Sequence, residues 1–149
     1  LLGRSLERID MTSRLLDVHH EVLWPDTGPI ATLRSAAGLT PFLRTGEPPT
    51  GDAVRRFLVL EPTFPRSLLH SARGAEEAAR GLQSQGNAAD ATLLREVGLM
   101  RSRLEFAGLV QDPSEVDALA AETQMSAVDA ALATADAYFR QAGTIVWSH

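Results

Sequence analysis

The sequence predicts an all-α protein, a bundle of about six helices with long first and last members. Three observations carry that expectation. Apolar residues recur at three- and four-residue intervals along most of the chain, the period of a helix that buries one face. Twenty-two alanines and few aromatic residues suit helices packed closely side by side. Only Phe57 to Leu60 reads as a strand, and no other run stands ready to pair with it.

Residues 1 to 23 place Leu2, Leu6, Ile9, Leu16 and Leu23 at helical spacing. Trp24-Pro25-Asp26 ends that helix, because the residue before a proline is driven out of helical geometry. Pro29 stands where a first-turn proline would. Ile30, Leu33 and Ala37 continue a second helix toward Leu39 to Leu43, kinked or split at Pro41 and ended before "GEPPTG". Asp52 is the expected N-cap of a short third helix over "DAVRRFLVLEP". Pro65 opens a fourth, "PRSLLHSARGAEEAARGL", and the polar loop "QSQGNAAD" separates it from a fifth carrying Leu93, Val97, Met100 and Leu104. Asp112, Pro113 and Glu115 form a capping-box pattern that starts the long final helix, through Val116, Leu119, Thr123, Val128, Leu132 and Tyr138 toward Ala142. The tail Gly143 to His149 receives no assignment.

A chain of 149 residues suits a single α-helical domain with one core. It opens at Leu1, already inside a helical pattern and without methionine or N-cap, so residues 1–149 are expected to be a fragment of a longer domain. The net charge of −5 argues against general affinity for nucleic acid or an anionic membrane, both of which need a basic surface. All fourteen basic residues are arginine. The absence of lysine excludes a Schiff-base or P-loop lysine and leaves guanidinium groups suited to bidentate carboxylate or phosphate contacts. Without cysteine there is no thiol nucleophile, thiolate zinc site or disulfide, which fits a reducing compartment and makes the cytoplasm the default expectation. No apolar run approaches the roughly 20 residues of a membrane span.

Of the polar positions, the Glu7-Arg8 pair is the first to raise a question. At roughly 100° per residue, Gly3, Glu7, Asp10, Arg14, Asp17 and Glu21 share one polar wedge, and Glu7 is expected to be solvated or paired within it. Arg8 falls outside that wedge, in line with Thr12 and His19, so neighbouring helices should partly cover it. A covered arginine needs a carboxylate or an anionic ligand, because an unpaired buried charge is costly. The expected partner is Glu77 on the fourth helix. There Arg66, His70, Arg73, Glu77 and Arg80 fall at spacings of four, three, four and three, in one stripe opposite Leu68, Ala72, Ala75, Ala79 and Leu82. The stripe reads either as a solvent face laced by Arg73 with Glu77 and Glu76 with Arg80, or as a cationic wall for a carboxylate or phosphate. "DVHHE" places Asp17 and His20 at i, i+3, but a di-metal bundle needs two Glu-x-x-His motifs and two further glutamates. No metal or cofactor is expected. Neither His20 nor His70 has a visible nucleophile or oriented triad beside it.

Two blocks, "LLGRSLERIDMTSRLLDVHHEVL" and "RRFLVLEPTFPRSLLHSARGAEEAARGL", resemble the Alpha-E domain family of bacterial helical proteins named for a Glu-Arg motif. Gly3, Arg4, Leu6 to Arg8, Thr12 and Arg14 to Val18 carry the first block, and Phe57 to Pro62, Pro65 to Ser67, Arg73, Glu77 and Arg80 the second. The likeness covers residues 1 to about 82 well, and "ERIDMTSRLLDV" resembles the second, C-terminal copy of a helix that occurs twice in the longer domain. It implies an all-α fold and a setting beside circularly permuted ATP-grasp ligases and transglutaminase-like proteins, in peptide or amide-bond modification. Glu61, Glu76 and Ala78 depart from the family's usual residues.

Three functions follow as expectations. The first is an interaction or accessory module, not an enzyme on its own, that docks on an ATP-grasp ligase, a transglutaminase-like partner or their peptide substrate. The second is an enzyme or small-molecule site holding an acidic substrate through Arg8, Glu77, Arg66, Arg73, Arg80 and His70. The third is a structural half-domain completed by the remainder of the same domain, which an exposed apolar face would favour.

Overall fold

In a computed structural model of the chain, residues 1–18, 28–83, 88–107 and 113–139 are described. They form seven helices and no strand: α1 (Leu2–Val18), α2 (Gly28–Ser35), α3 (Leu39–Leu43), α4 (Gly51–Leu60), α5 (Leu68–Gln83), α6 (Ala88–Ala107) and α7 (Pro113–Phe139).

Four of them make the bundle. α1 packs on α5, α5 on α6, α6 on α7 and α7 back on α1. The hydroxyl of Thr12 donates to the carbonyl of Arg66 at 2.9 Å, while a Cβ added at Gly74 would lie 3.1 Å from Ser5 Oγ. Later residues of α1 therefore meet earlier ones of α5, and the two run antiparallel. Asp10 of α1 meets Gln124 of α7 at 3.5 Å, and Arg103 of α6 meets Glu122 of α7 at 3.7 Å. The result is an up-down-up-down arrangement in the order α1, α5, α6, α7. Ala72, Ala75 and Ala79 of α5 are fully buried, and their small side chains let its neighbours approach closely.

The remaining helices cover one end. α4 touches α2, α5, α6 and α7, which explains why Phe57, Leu58 and Val59 are buried in succession. A helix enclosed on several sides carries an apolar run that periodicity cannot tell from a strand. Thr50, not Asp52, is its N-cap: Thr50 Oγ1 accepts from Ala53 N at 3.3 Å. Asp52 lies in the first turn, where its charge favours the helix dipole.

The expected second helix is two helices, and the break lies before Pro41. Ala37 adopts a left-handed φ of 54°, which ends α2, and Gly38 follows in a buried position against Phe57 and Phe64. Phe57 stacks on Phe64 with centroids 5.0 Å apart and meets the edge of Phe42 at 5.3 Å. The fourth predicted helix starts later than Pro65. Residues 61 to 67 form a turn in which Ser67 Oγ donates to the Glu61 carbonyl at 2.5 Å and accepts from His70 N at 3.1 Å. Ser67 thereby takes the capping role, and α5 begins at Leu68.

Leu93, Val97, Met100 and Leu104 are buried as their spacing predicts, as are Val116, Leu119 and Thr123. Val128 and Leu132 are exposed. Leu23, Glu21, the Asp17 to His20 metal reading, the Asp112 cap and the tail 143–149 involve residues outside those described.

Candidate functional site

Helix α1 divides its polar residues as the wheel predicts. Gly3, Glu7, Arg14 and Asp17 are exposed, Asp10 is half-buried, and so is Arg8 on its own side. Arg14 pairs with Asp10 four residues back, at 2.9 Å, and Glu7 makes no ion pair among the described residues.

Arg8 does not meet Glu77. The contacts of Ser5 with Gly74 and of Thr12 with Arg66 set Arg8 near the level of His70. Glu77 lies seven residues further along α5, about 10 Å away at 1.5 Å per residue. Arg8 has no other carboxylate partner among the described residues. Instead it lines a cleft of about 380 Å³ whose walls also include Arg4, Glu7 and Arg66. Arg66 precedes α5, its carbonyl held by Thr12, and its Nη1 donates to the carbonyl of Ala36 at 3.4 Å. The floor and rim add Met11, Thr12, Leu15, Ser35 and Ala36.

The rest of the predicted stripe goes elsewhere. Arg73 pairs with Glu105 of α6 at 2.9 Å, not with Glu77. Arg80 reaches Glu76 Oε1 at 2.8 Å, as the i, i+4 spacing predicts. His70 directs Nδ1 to the Pro62 carbonyl at 3.0 Å. Glu77 is exposed, with no ion pair among the described residues. Of the six candidate residues, the structure brings only Arg8 and Arg66 into one cleft.

Glu76 is the residue that sequence reasoning undervalued. It lies on the buried side of α5, four residues after Ala72 and three before Ala79, and is 8% exposed. Arg101 Nε of α6 lies 2.5 Å from Glu76 Oε2, a charge contact in which the N–H is not aimed at the oxygen. Arg101 also binds Glu105 through Nη1. A chain of alternating charge thus runs from Arg80 through Glu76, Arg101 and Glu105 to Arg73, joining α5 to α6. The wheel that isolated the arginine stripe also places Glu76 beside the buried alanines.

A second concavity, of about 520 Å³, lies between α1 and α7. Leu2 and Leu6 form one wall and Ala127, Val128, Ala131 and Leu132 the other, with Glu7, Asp10 and Arg14 at the rim. Glu7 therefore borders both hollows, and Arg8 only the cationic one.

Fold and clefts together define an all-helical bundle domain whose most distinctive surface is built around a Glu-Arg pair on its first helix. The chain belongs to the Alpha-E family, described as a predicted alpha-helical domain with a conserved ER motif, whose model matches residues 1–139. Glu7-Arg8 is the one Glu-Arg dipeptide in the sequence, and the match continues past residue 82 through α6 and α7. Comparisons with curated proteins and with solved structures returned no match.

Proposed function

We propose that this domain is an accessory interaction module that receives an amphipathic helix of a partner in the groove between α1 and α7. The partner is an ATP-grasp ligase or a transglutaminase-like protein of a peptide- or amide-bond-modifying system, the setting the family resemblance implies. The observation that carries this reading is the outer face of α7. Ala121, Met125, Val128, Leu132 and Ala135 follow spacings of four, three, four and three, the repeat on which another helix packs knobs into holes. Met125 and Leu132 are each 63% exposed, and Val128 is 41% exposed, an apolar face that equally suits the remainder of the same domain, so finding these positions covered by further residues of a longer chain overturns the partner reading. No helix among the described residues is long and apolar enough to cross a membrane, so the seam is not part of a membrane span there.

The test mixes the purified chain with a purified ATP-grasp ligase from the same organism, followed by sedimentation velocity at micromolar concentration. A complex is expected, and Leu132→Asp with Val128→Asp should abolish it while leaving helical circular dichroism unchanged. Failure to associate with either the ligase or a transglutaminase-like protein of that organism overturns the reading, as does a complex indifferent to the two substitutions.

A further inference from the structure

The cationic cleft lies on the other side of Glu7 from the groove, and binding there is independent of whether the groove docks a helix. Seven arginines of the described residues hold a carboxylate: Arg14, Arg55, Arg56 and Arg73, together with Arg80, Arg101 and Arg103. The other six, Arg4, Arg8, Arg34, Arg44, Arg66 and Arg95, hold none among the described residues, and three of these, Arg4, Arg8 and Arg66, line the same cleft. Arg4 and Arg8 stand at i, i+4 on α1, where like charges face each other and weaken an isolated helix. A half-buried guanidinium without a counter-charge has lost water without regaining an anion. Each feature counts against the empty fold and in favour of a bound anion.

Two further observations suit a ligand. Arg66 has its backbone held by Thr12 and one of its five guanidinium N–H groups turned to the Ala36 carbonyl at 3.4 Å, at the edge of the cleft. Its other donors stay available for bidentate contact with a planar oxyanion. Met11, Leu15 and Ala36 contribute apolar surface beside the charges, which suits an anion carried on a short carbon skeleton rather than a bare ion. Three positive charges against the one negative charge of Glu7 leave an excess of two.

We propose that the cleft formed by Arg4, Arg8 and Arg66 binds a compact organic ligand bearing two negative charges, a dicarboxylate or a phosphate monoester. Arg8 and Arg66 supply the forks, Arg4 adds field at the mouth, and the Glu7 carboxylate disfavours ligands with a third negative charge.

The experiment titrates the full chain separately with glutarate, glycerol 3-phosphate and acetate, following heat and the Nε–Hε resonances of the arginines. One of the two dianions is expected to bind at millimolar concentration or below, with acetate weaker by roughly tenfold or more, the loss of at least one charge-assisted contact. Which dianion wins assigns the anionic group. Arg8→Gln and Arg66→Gln should each weaken binding by roughly tenfold, and Arg73→Gln, whose guanidinium is engaged by Glu105, should leave it unchanged. Arg66→Gln alters an exposed side chain and keeps the test decisive should Arg8→Gln unfold. The proposal is overturned if neither dianion binds at millimolar concentration, if acetate binds equally well, or if Arg73→Gln matters as much as the cleft substitutions. A ligase complex that forms without any dianion binding would sink this proposal and leave the groove reading standing.

Discussion

Glu76→Gln tests whether the α5 to α6 junction is held by charge. The side chain keeps its shape, so cavity formation does not confuse the result. Two partners lose the carboxylate. Arg80 is 65% exposed on its side chain and returns to water, which for an exposed pair costs about 0.5 kcal/mol. Arg101 is 25% exposed and Glu76 only 10%, so their contact belongs nearer the buried class, where removing one partner costs about 3–5 kcal/mol. Arg101 keeps Glu105 as a second carboxylate, which halves that loss by compensation, so the total is about 2–3 kcal/mol. For a chain of this size that corresponds to a fall in Tm of roughly 4–12 °C. Urea denaturation should show the midpoint moving with an unchanged slope. The control is Glu47→Gln, which releases the exposed Arg56 at 2.8 Å and should cost under about 1 kcal/mol. If Glu76→Gln costs no more than Glu47→Gln, the network is decoration and the reasoning fails. A second arm replaces both charges, Glu76→Leu with Arg101→Met, and should recover part of the loss, because it removes a half-buried guanidinium that Glu105 alone compensates only in part.

Two pairs of substitutions probe packing. Gly38→Ala and Gly74→Ala both bring a Cβ to 3.1 Å from a neighbour, yet should differ in sign: at Gly38 the obstacle is the Phe64 ring, locked against Phe57, with an expected cost of about 1–3 kcal/mol, whereas at Gly74 it is the Ser5 hydroxyl, which can rotate, so α5 gains up to about 1 kcal/mol of helix propensity in urea unfolding. On α7, Leu132→Asp should change the stability of the isolated chain by less than about 0.5 kcal/mol, while Ala130→Leu, at a site 1% exposed, should cost about 1–3 kcal/mol by overpacking. Equal effects at the two α7 positions in thermal melts would contradict the separation of inner face from outer seam.

The helices were legible because each buries one face, and periodicity reports burial directly. Leu93, Val97, Met100 and Leu104 needed nothing more. The same reasoning misplaced Val128 and Leu132, since α7 carries two apolar seams and a wheel does not say which one its neighbours cover. The break at Ala37 was invisible for another reason: alanine is a strong helix former, and its left-handed φ is imposed by the turn that brings Gly38 against the aromatic cluster. That Arg8 is partly covered follows from α1 alone. Its expected partner was wrong because pairing depends on the register between α1 and α5, which the Thr12 hydroxyl and the Gly74 to Ser5 approach fix and which no single-helix argument contains. Spacing alone gives Glu76 its partner Arg80, whereas its contact with Arg101 follows from its place among the buried Ala72, Ala75 and Ala79, which marks it as the covered charge.

The Glu-Arg dipeptide gains a physical meaning from this comparison. Residues adjacent on a helix diverge by roughly 100°, so Glu7 and Arg8 are badly placed to neutralise each other. Acid and base four apart do so readily, and the described residues show it three times, in Asp10 with Arg14 at 2.9 Å, in Glu76 with Arg80 at 2.8 Å and in Arg101 with Glu105. Those charges are satisfied within their own helices. The dipeptide leaves both of its charges uncommitted and directs them to different surfaces, Arg8 into the cationic cleft and Glu7 onto the ridge that borders both hollows. Moving the acid to position 4 would put it one turn before Arg8 and close the pair. A motif kept as neighbours is therefore suited to contacts outside its helix, and an ion pair that merely braced α1 would have no need of that spacing.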